Sequence, residues 1–265
     1  MRSVTQWSIL SLLCLLGTQQ GQAQPAARGG DYVRIADDST AAAVHPDQSA
    51  AVAKLASPAV QERCPYAPVD VTAALPDERQ LACSAANSAL QLLGRCNISL
   101  RRPLQLQIMS EVQHPFGRAI FGLFDTQQER VLVTHEANIP SLVKDTPYAE
   151  LPQRDFYRSL IVHEVVHGVM HQNLKRPAAS HAAHEYPAYA LQIESLAPSV
   201  RDKFLQSFDQ TAITANTIFN DAVLLFDPYF FAARAYHHFK ASITGCAHLS
   251  RLLEGEVDFI APPQM

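Results

Sequence analysis

What this sequence lacks narrows its class before any motif is read. No excess of charge of one sign is present: 21 basic and 25 acidic residues among 265 leave a formal net charge of -4, spread without long runs. A nucleic-acid-binding surface and a polybasic membrane anchor both need clustered cations, so neither partner is expected. No C-x-x-C pair occurs among the five cysteines, which argues against a zinc-cysteine cluster. No internal repeat is visible, which excludes a solenoid. The apolar run from Trp7 to Leu16 is too short to span a bilayer as a permanent helix. What is present, 48% hydrophobic and 17% charged residues, excludes disorder of the whole chain and suffices for a substantial core.

The N-terminus, MRSVTQWSILSLLCLLGTQQGQA, sets Arg2 before that apolar run and ends in small Gly21 and Ala23. Residues 1–23 therefore read as a secretory signal peptide, and the protein is expected to be exported, periplasmic or secreted. Leu13 stands before Cys14 where a lipidation signal wants a small residue. Residues 24–62, rich in Ala, Ser and Asp, read as a low-order lead-in, followed by one domain over 63–260. Cys64, Cys83, Cys96 and Cys246 then remain, an even number in an oxidising compartment, and two disulfides are expected. CSAANSALQLLGRC looks helical and would hold Cys83 and Cys96 roughly 20 Å apart, too far to bridge. Cys64 then pairs with Cys83 or with Cys96, and Cys246 with the other.

The periodicity puts strands first and helices after. PVDVTA reads as a short strand, followed by a helix from about Asp77 to Leu93 with Asp77 as its cap. LQLQIM (104–109) alternates as a strand does, and AIFGLFD and RVLVTH, separated by TQQE, read as a β-hairpin. From residue 153 onward the signals are helical: the segment carrying the histidines, then 184–196, 199–208, 212–226, 229–242 and 246–254. The fold class expected is α+β, with a small N-terminal sheet, the histidine-bearing helix and a helical C-terminal half.

The segment IVHEVVHGVMHQ places histidines at 163, 167 and 171, with Glu164 after the first. On a helix, residues four apart share a face about 6 Å apart, so His163 and His167 can direct both imidazoles at one ion. This is H-E-x-x-H: two neutral imidazoles hold Zn²⁺, and the adjacent carboxylate acts on water as a general base. About 0.02 matches are expected by chance in a chain with 11 histidines, so context decides. Phe156, Leu160, Ile161, Val162, Val165, Val166, Val169 and Met170 make the helix apolar nearly all round, hence buried. Buried imidazoles need a partner, which a metal supplies to both at once. His171 lies roughly 12 Å along the axis from His163, too far to share the ion, and reads as a helix-end residue beside the negative end of the dipole. Met170 and Asn173 stand where H-E-x-x-H-x-x-G-x-x-H requires glycine and histidine.

Downstream, HAAHEYPAYALQIES offers His181, His184, Glu185 and Glu194 on a second helix. Glu185 and Glu194, nine positions apart, lie about 180° apart on that helix and cannot reach the same ion. Position favours Glu185, and small Ala188 on its face lets the two helices approach closely.

With these residues in place the sequence resembles the zincin metallopeptidases, and among them the gluzincins, in which a glutamate from a following helix joins the two histidines. The resemblance implies His163, His167 and Glu185 as zinc ligands, Glu164 as general base, an edge strand above the zinc, and a peptide or protein substrate. The chain also looks like secreted bacterial proteins of unassigned function in which a helix beginning HEYxAYxxQ follows H-E-x-x-H. The likeness is specific over residues 155–195 and loose elsewhere. Ala188 replaces the aspartate that thermolysin-like enzymes carry three residues beyond the glutamate, so support of the histidines is sought at Asn220, Asp221 or Asp227, each of which reads more readily as a cap or turn residue. The G-x-M-E-N segment of gluzincin aminopeptidases is missing, which leaves that kind of exopeptidase unsupported. Tyr236 is the candidate for stabilising an oxyanion, against a plain role packing beside Phe231 and Phe239. Two other readings stay open: a zinc-binding periplasmic binding or inhibitory module without turnover, and a metal-free helical interaction domain.

Overall fold

The computed structural model describes residues 58–114, 117–176, 180–208, 219–241, 245–257 and 259. The expected signal peptide and residues 24–57 of the expected lead-in lie outside the described residues, as do residues 212–218 of the helix expected at 212–226. The strands are β1 (Val60–Arg63), β2 (Val69–Ala73), β3 (Leu104–Met109), β4 (Val112–Gln113), β5 (Ala119–Ile120), β6 (Gly122–Asp125) and β7 (Arg130–Thr134). The helices are α1 (Pro76–Gly94), α2 (Ile139–Val143), α3 (Gln153–Asn173), α4 (His181–Ser195), α5 (Pro198–Leu205), α6 (Asp221–Phe226), α7 (Pro228–Ala241) and α8 (Gly245–Glu254). The class is α+β, a small N-terminal sheet beside a helical half.

Five strands form the main sheet in the order β1-β2-β3-β7-β6. β2 and β3 run parallel because α1 carries the chain back between them, and β3 runs parallel to β7. The outer strands β1 and β6 are antiparallel to their neighbours. The alternation of LQLQIM has its cause here: Leu104, Leu106 and Ile108 face the helices, while Gln105 and Gln107 point outward to Asp70 and Arg130. β1 overlaps the end of the expected lead-in, and with its exposed VQER it carries no apolar alternation by which to be found.

Local chemistry explains several boundaries. α1 begins at Pro76 with Leu75 as its cap, and Asp77 and Glu78 occupy the first turn, where negative charge meets the positive helix end. α4 starts at His181, three residues before the expected 184, because Ser180 Oγ accepts the Ala183 N–H at 3.2 Å. AIFGLFD, read as one strand, is two: β5 pairs with β4, β6 pairs with β7, and between them Phe121 accepts a hydrogen bond from Thr134 N at 2.8 Å. The β6–β7 turn closes on Asp125 Oδ1, which accepts from Gln127 N and Gln128 N.

The disulfides join Cys64 to Cys83 and Cys96 to Cys246, which decides between the two open pairings. The first fastens the start of the sheet to α1, the second ties the end of α1 to α8 across 150 residues. Among the described residues no helix is long and apolar enough to cross a membrane. α3 runs through the middle of the molecule, packed against α1, α4, β6 and β7, which is why its sequence is apolar on every side.

Candidate metal centre

Because α3 is enclosed by the sheet on one side and by α1 and α4 on the others, its polar side chains must be satisfied inside the protein. His163, Glu164 and His167 are buried, and Glu185 arrives from α4 with 2% exposure. His163 Nε2 and His167 Nε2 are 3.0 Å apart. Glu185 closes the triangle, with Oε2 3.3 Å from His163 Nε2 and Oε1 3.4 Å from His167 Nε2. Neither Glu185 oxygen has a hydrogen bond of good geometry among the described residues. Two imidazole nitrogens and a carboxylate oxygen, all within 4.8 Å of one another, form a group that can hold a metal ion. Metal–ligand bonds of about 2.0–2.1 Å in tetrahedral geometry set ligand atoms roughly 3.3 Å apart, which the observed triangle matches.

The electrostatics of the triangle separate its two neighbouring carboxylates. Burial opposes the charged form of Glu185, yet the His167 and His163 imidazoles beside it outweigh this and hold its carboxyl well below the usual range. Burial likewise opposes a charged His167, but the Glu185 carboxylate reverses the balance and raises its pKa. Glu164 differs: burial pushes its pKa up, and the two imidazoles offset this only in part. Its Oε2 is buried without a hydrogen-bond partner. One carboxylate is thus held charged among the histidines, and the other is set apart from them.

His163 is oriented from behind. Its Nδ1 lies 2.9 Å from Gln192 Oε1, which can only accept, so Nδ1 donates and Nε2 keeps its lone pair for an ion. Gln192 in turn donates to Ser159 Oγ at 3.5 Å, and the Tyr189 ring meets the His163 ring edge to face at 4.7 Å. Gln192 and Tyr189 share a helix face with Glu185, seven and four positions on, but nothing local distinguishes a glutamine that supports a histidine from one in the core. The three residues considered for this support are occupied elsewhere. Asn220 Oδ1 accepts from Val223 N, Asp227 Oδ1 accepts from Phe230 N, and Asp221 Oδ1 accepts from Ala182 N at the start of α4. All three act at helix ends.

The remaining candidates are also displaced from the triangle. Tyr236 packs beneath the Arg201 guanidinium, 5.4 Å from its ring centre, near Glu194 and Lys240. Glu194 turns away from Glu185 and pairs with Arg201 and Lys240. His171 meets the Phe124 ring at a tilt, ring centres 5.2 Å apart, and burial lowers its pKa. His184 is near His167 and Glu185, and burial pushes its pKa down to about 4.

Beside the triangle lies a cavity of about 20 Å³, room for one water-sized occupant. His163, Glu164 and Gln192 supply its polar wall, and aromatic and aliphatic side chains, among them Tyr148, Tyr189 and Phe121, supply the rest. Tyr148 and Tyr189, rather than Tyr236, are therefore the tyrosines next to the centre.

No curated protein and no solved structure matches the chain. The model of a family of unknown function, DUF6639, matches residues 69–262. Matched from the first core strand to beyond α8, with every residue of the centre inside the match, the chain belongs to the family of unknown function DUF6639.

Proposed function

We propose that this protein is an exported zinc-dependent peptidase in which His163, His167 and Glu185 hold the ion and Glu164 is the general base. The observation that carries the reading is the division of labour between two buried carboxylates: Glu185 belongs to the ligand triangle, while Glu164 lines the adjoining cavity without joining it. Bound zinc supplies Lewis acidity, polarising a carbonyl and acidifying water. Glu164 takes a proton from the attacking water as the new C–O bond forms at the peptide carbonyl. It returns that proton to the departing amine as the C–N bond breaks. Burial raises its pKa, which favours holding the proton between the two steps. Gln192 fixes the tautomer of His163, and the apolar wall excludes bulk water, which strengthens every charge interaction inside. Export is supported by the leader-like N-terminus and by the two disulfides.

The decisive variant is Glu164→Gln. It is expected to keep one zinc per chain and to lose peptide hydrolysis, measured on a mixed peptide substrate with metal content read alongside. Retention of full hydrolysis would sink the assignment of the base. A binding or inhibitory module would instead hold its partner unchanged in Glu164→Gln, and a metal-free interaction domain would contain no ion at all.

A further inference from the structure

Glu164 and Gly168 stand one turn apart on α3, and Gly122 and Phe124 stand two apart on β6, so each pair shares a face. The two faces meet in register. A Cβ added at Gly168 would lie 3.3 Å from Phe124 Cε2 and 3.0 Å from Leu104 Cδ1, both side-chain ends able to shift. A Cβ added at Gly122 would lie 2.9 Å from Glu164 Cγ, 3.0 Å from Glu164 Oε1 and 2.9 Å from the backbone oxygen of Leu132. Real Cβ atoms do not come this close, so only glycine fits where β6 crosses Glu164.

We propose that Gly122 is the positioning residue for Glu164: the bare backbone of the edge strand is the surface on which this carboxylate rests. Glu164 Oε2 is buried with no hydrogen bond to hold it, so packing fixes its direction. The helix backbone holds one end of the side chain and β6 limits the swing of the other. Any side chain at position 122 displaces the carboxylate along the helix–sheet interface, while the ligands, on other faces of α3 and on α4, stay in place. This inference rests on the reading of Glu164 as the base.

The test has two arms on the full, metal-loaded protein. In the thermal arm, Gly122→Ala lowers Tm by several degrees in the wild-type background and by measurably less with Glu164→Ala, where Cγ and Oε1 are gone and only the contact with the Leu132 backbone oxygen remains. An equal loss in both backgrounds overturns the contact. If Gly122→Ala accumulates as folded protein only together with Glu164→Ala, that rescue is the same coupling. In the kinetic arm, Gly122→Ala keeps its zinc content and lowers kcat at least tenfold with KM within twofold, whereas Gly168→Ala lowers kcat less than threefold. A loss through KM or zinc content, or equal losses in the two variants, overturns the positioning role. If wild type and Glu164→Gln hydrolyse peptide equally, the base reading itself fails, and the thermal arm still decides the contact.

Discussion

Replacing Gln192 by leucine isolates the support behind the metal ligands. The variant keeps the shape of the core but leaves the His163 Nδ1–H, now bonded to Gln192 Oε1 at 2.9 Å, without an acceptor in a site where Gln192 is 2% exposed. A buried donor left unsatisfied costs about 1–3 kcal/mol. Loss of a group that orients a metal-bound histidine weakens metal binding roughly 10–100-fold. At about 1.4 kcal/mol per factor of ten, that is about 1.4–2.8 kcal/mol. The two routes agree, so zinc is expected to bind Gln192→Leu roughly 10–100-fold more weakly in a chelator competition. In a domain of this size about 1 kcal/mol moves Tm by 2–4 °C, so the rise in Tm on adding a fixed excess of zinc should shrink by about 3–11 °C. Gln192→Glu keeps an acceptor and should retain the wild-type response. The reasoning is refuted if Gln192→Leu binds zinc within twofold of wild type while His163→Ala loses it.

Three further outcomes are expected. The loop-entropy estimate for removing a disulfide gives about 5 kcal/mol for the Cys96–Cys246 separation of 150 and about 3 kcal/mol for the Cys64–Cys83 separation of 19. Urea unfolding of C96S/C246S should therefore show a larger loss than C64S/C83S. Burial pushes the His248 pKa from 6.5 down to about 4, with His238 and Arg251 adding repulsion, and burial lowers His238 as well. The folded state then binds fewer protons than the unfolded chain, so stability is whole above pH 6.5 and drains as the pH falls toward about 4. His248→Phe, whose ring keeps the contacts with Tyr186 and Phe259, should flatten a Tm profile taken from pH 7 to 4.5. Tyr236→Phe should leave peptide hydrolysis within twofold, since the phenol sits beneath Arg201; a tenfold loss would return it to the site.

Much of the centre was legible because its rules are local. Four-residue spacing on a helix puts His163 and His167 on one face wherever that helix ends up, and the same rotation separates Glu185 from Glu194 and leaves His171 out. The α+β class followed from strands giving way to helices, and the impossibility of a Cys83–Cys96 bridge followed from helix rise alone. The residues that local rules left open share a cause. Asn220, Asp221 and Asp227 have the chemistry to support a histidine and equally that of caps and turns, and each is held by the nearest helix end, as the plainer reading has it. Tyr236 stands in an aromatic-rich segment where a packing role is the plainer expectation, and only the packing of α7 decides which way that segment faces.

By itself, then, the sequence determined which side chains can share an ion along one helix, that this helix must be buried, and which cysteine pairing is forbidden, because each depends on geometry within a few turns of chain. Tertiary structure decided what meets that helix from outside. It chose Cys64–Cys83 and Cys96–Cys246, set β2, β3 and β7 parallel, brought Gln192 behind His163, and laid Gly122 against Glu164. Those contacts join residues from 19 to 150 positions apart, and they exist only once the sheet and helices have packed together, so no local pattern encodes them.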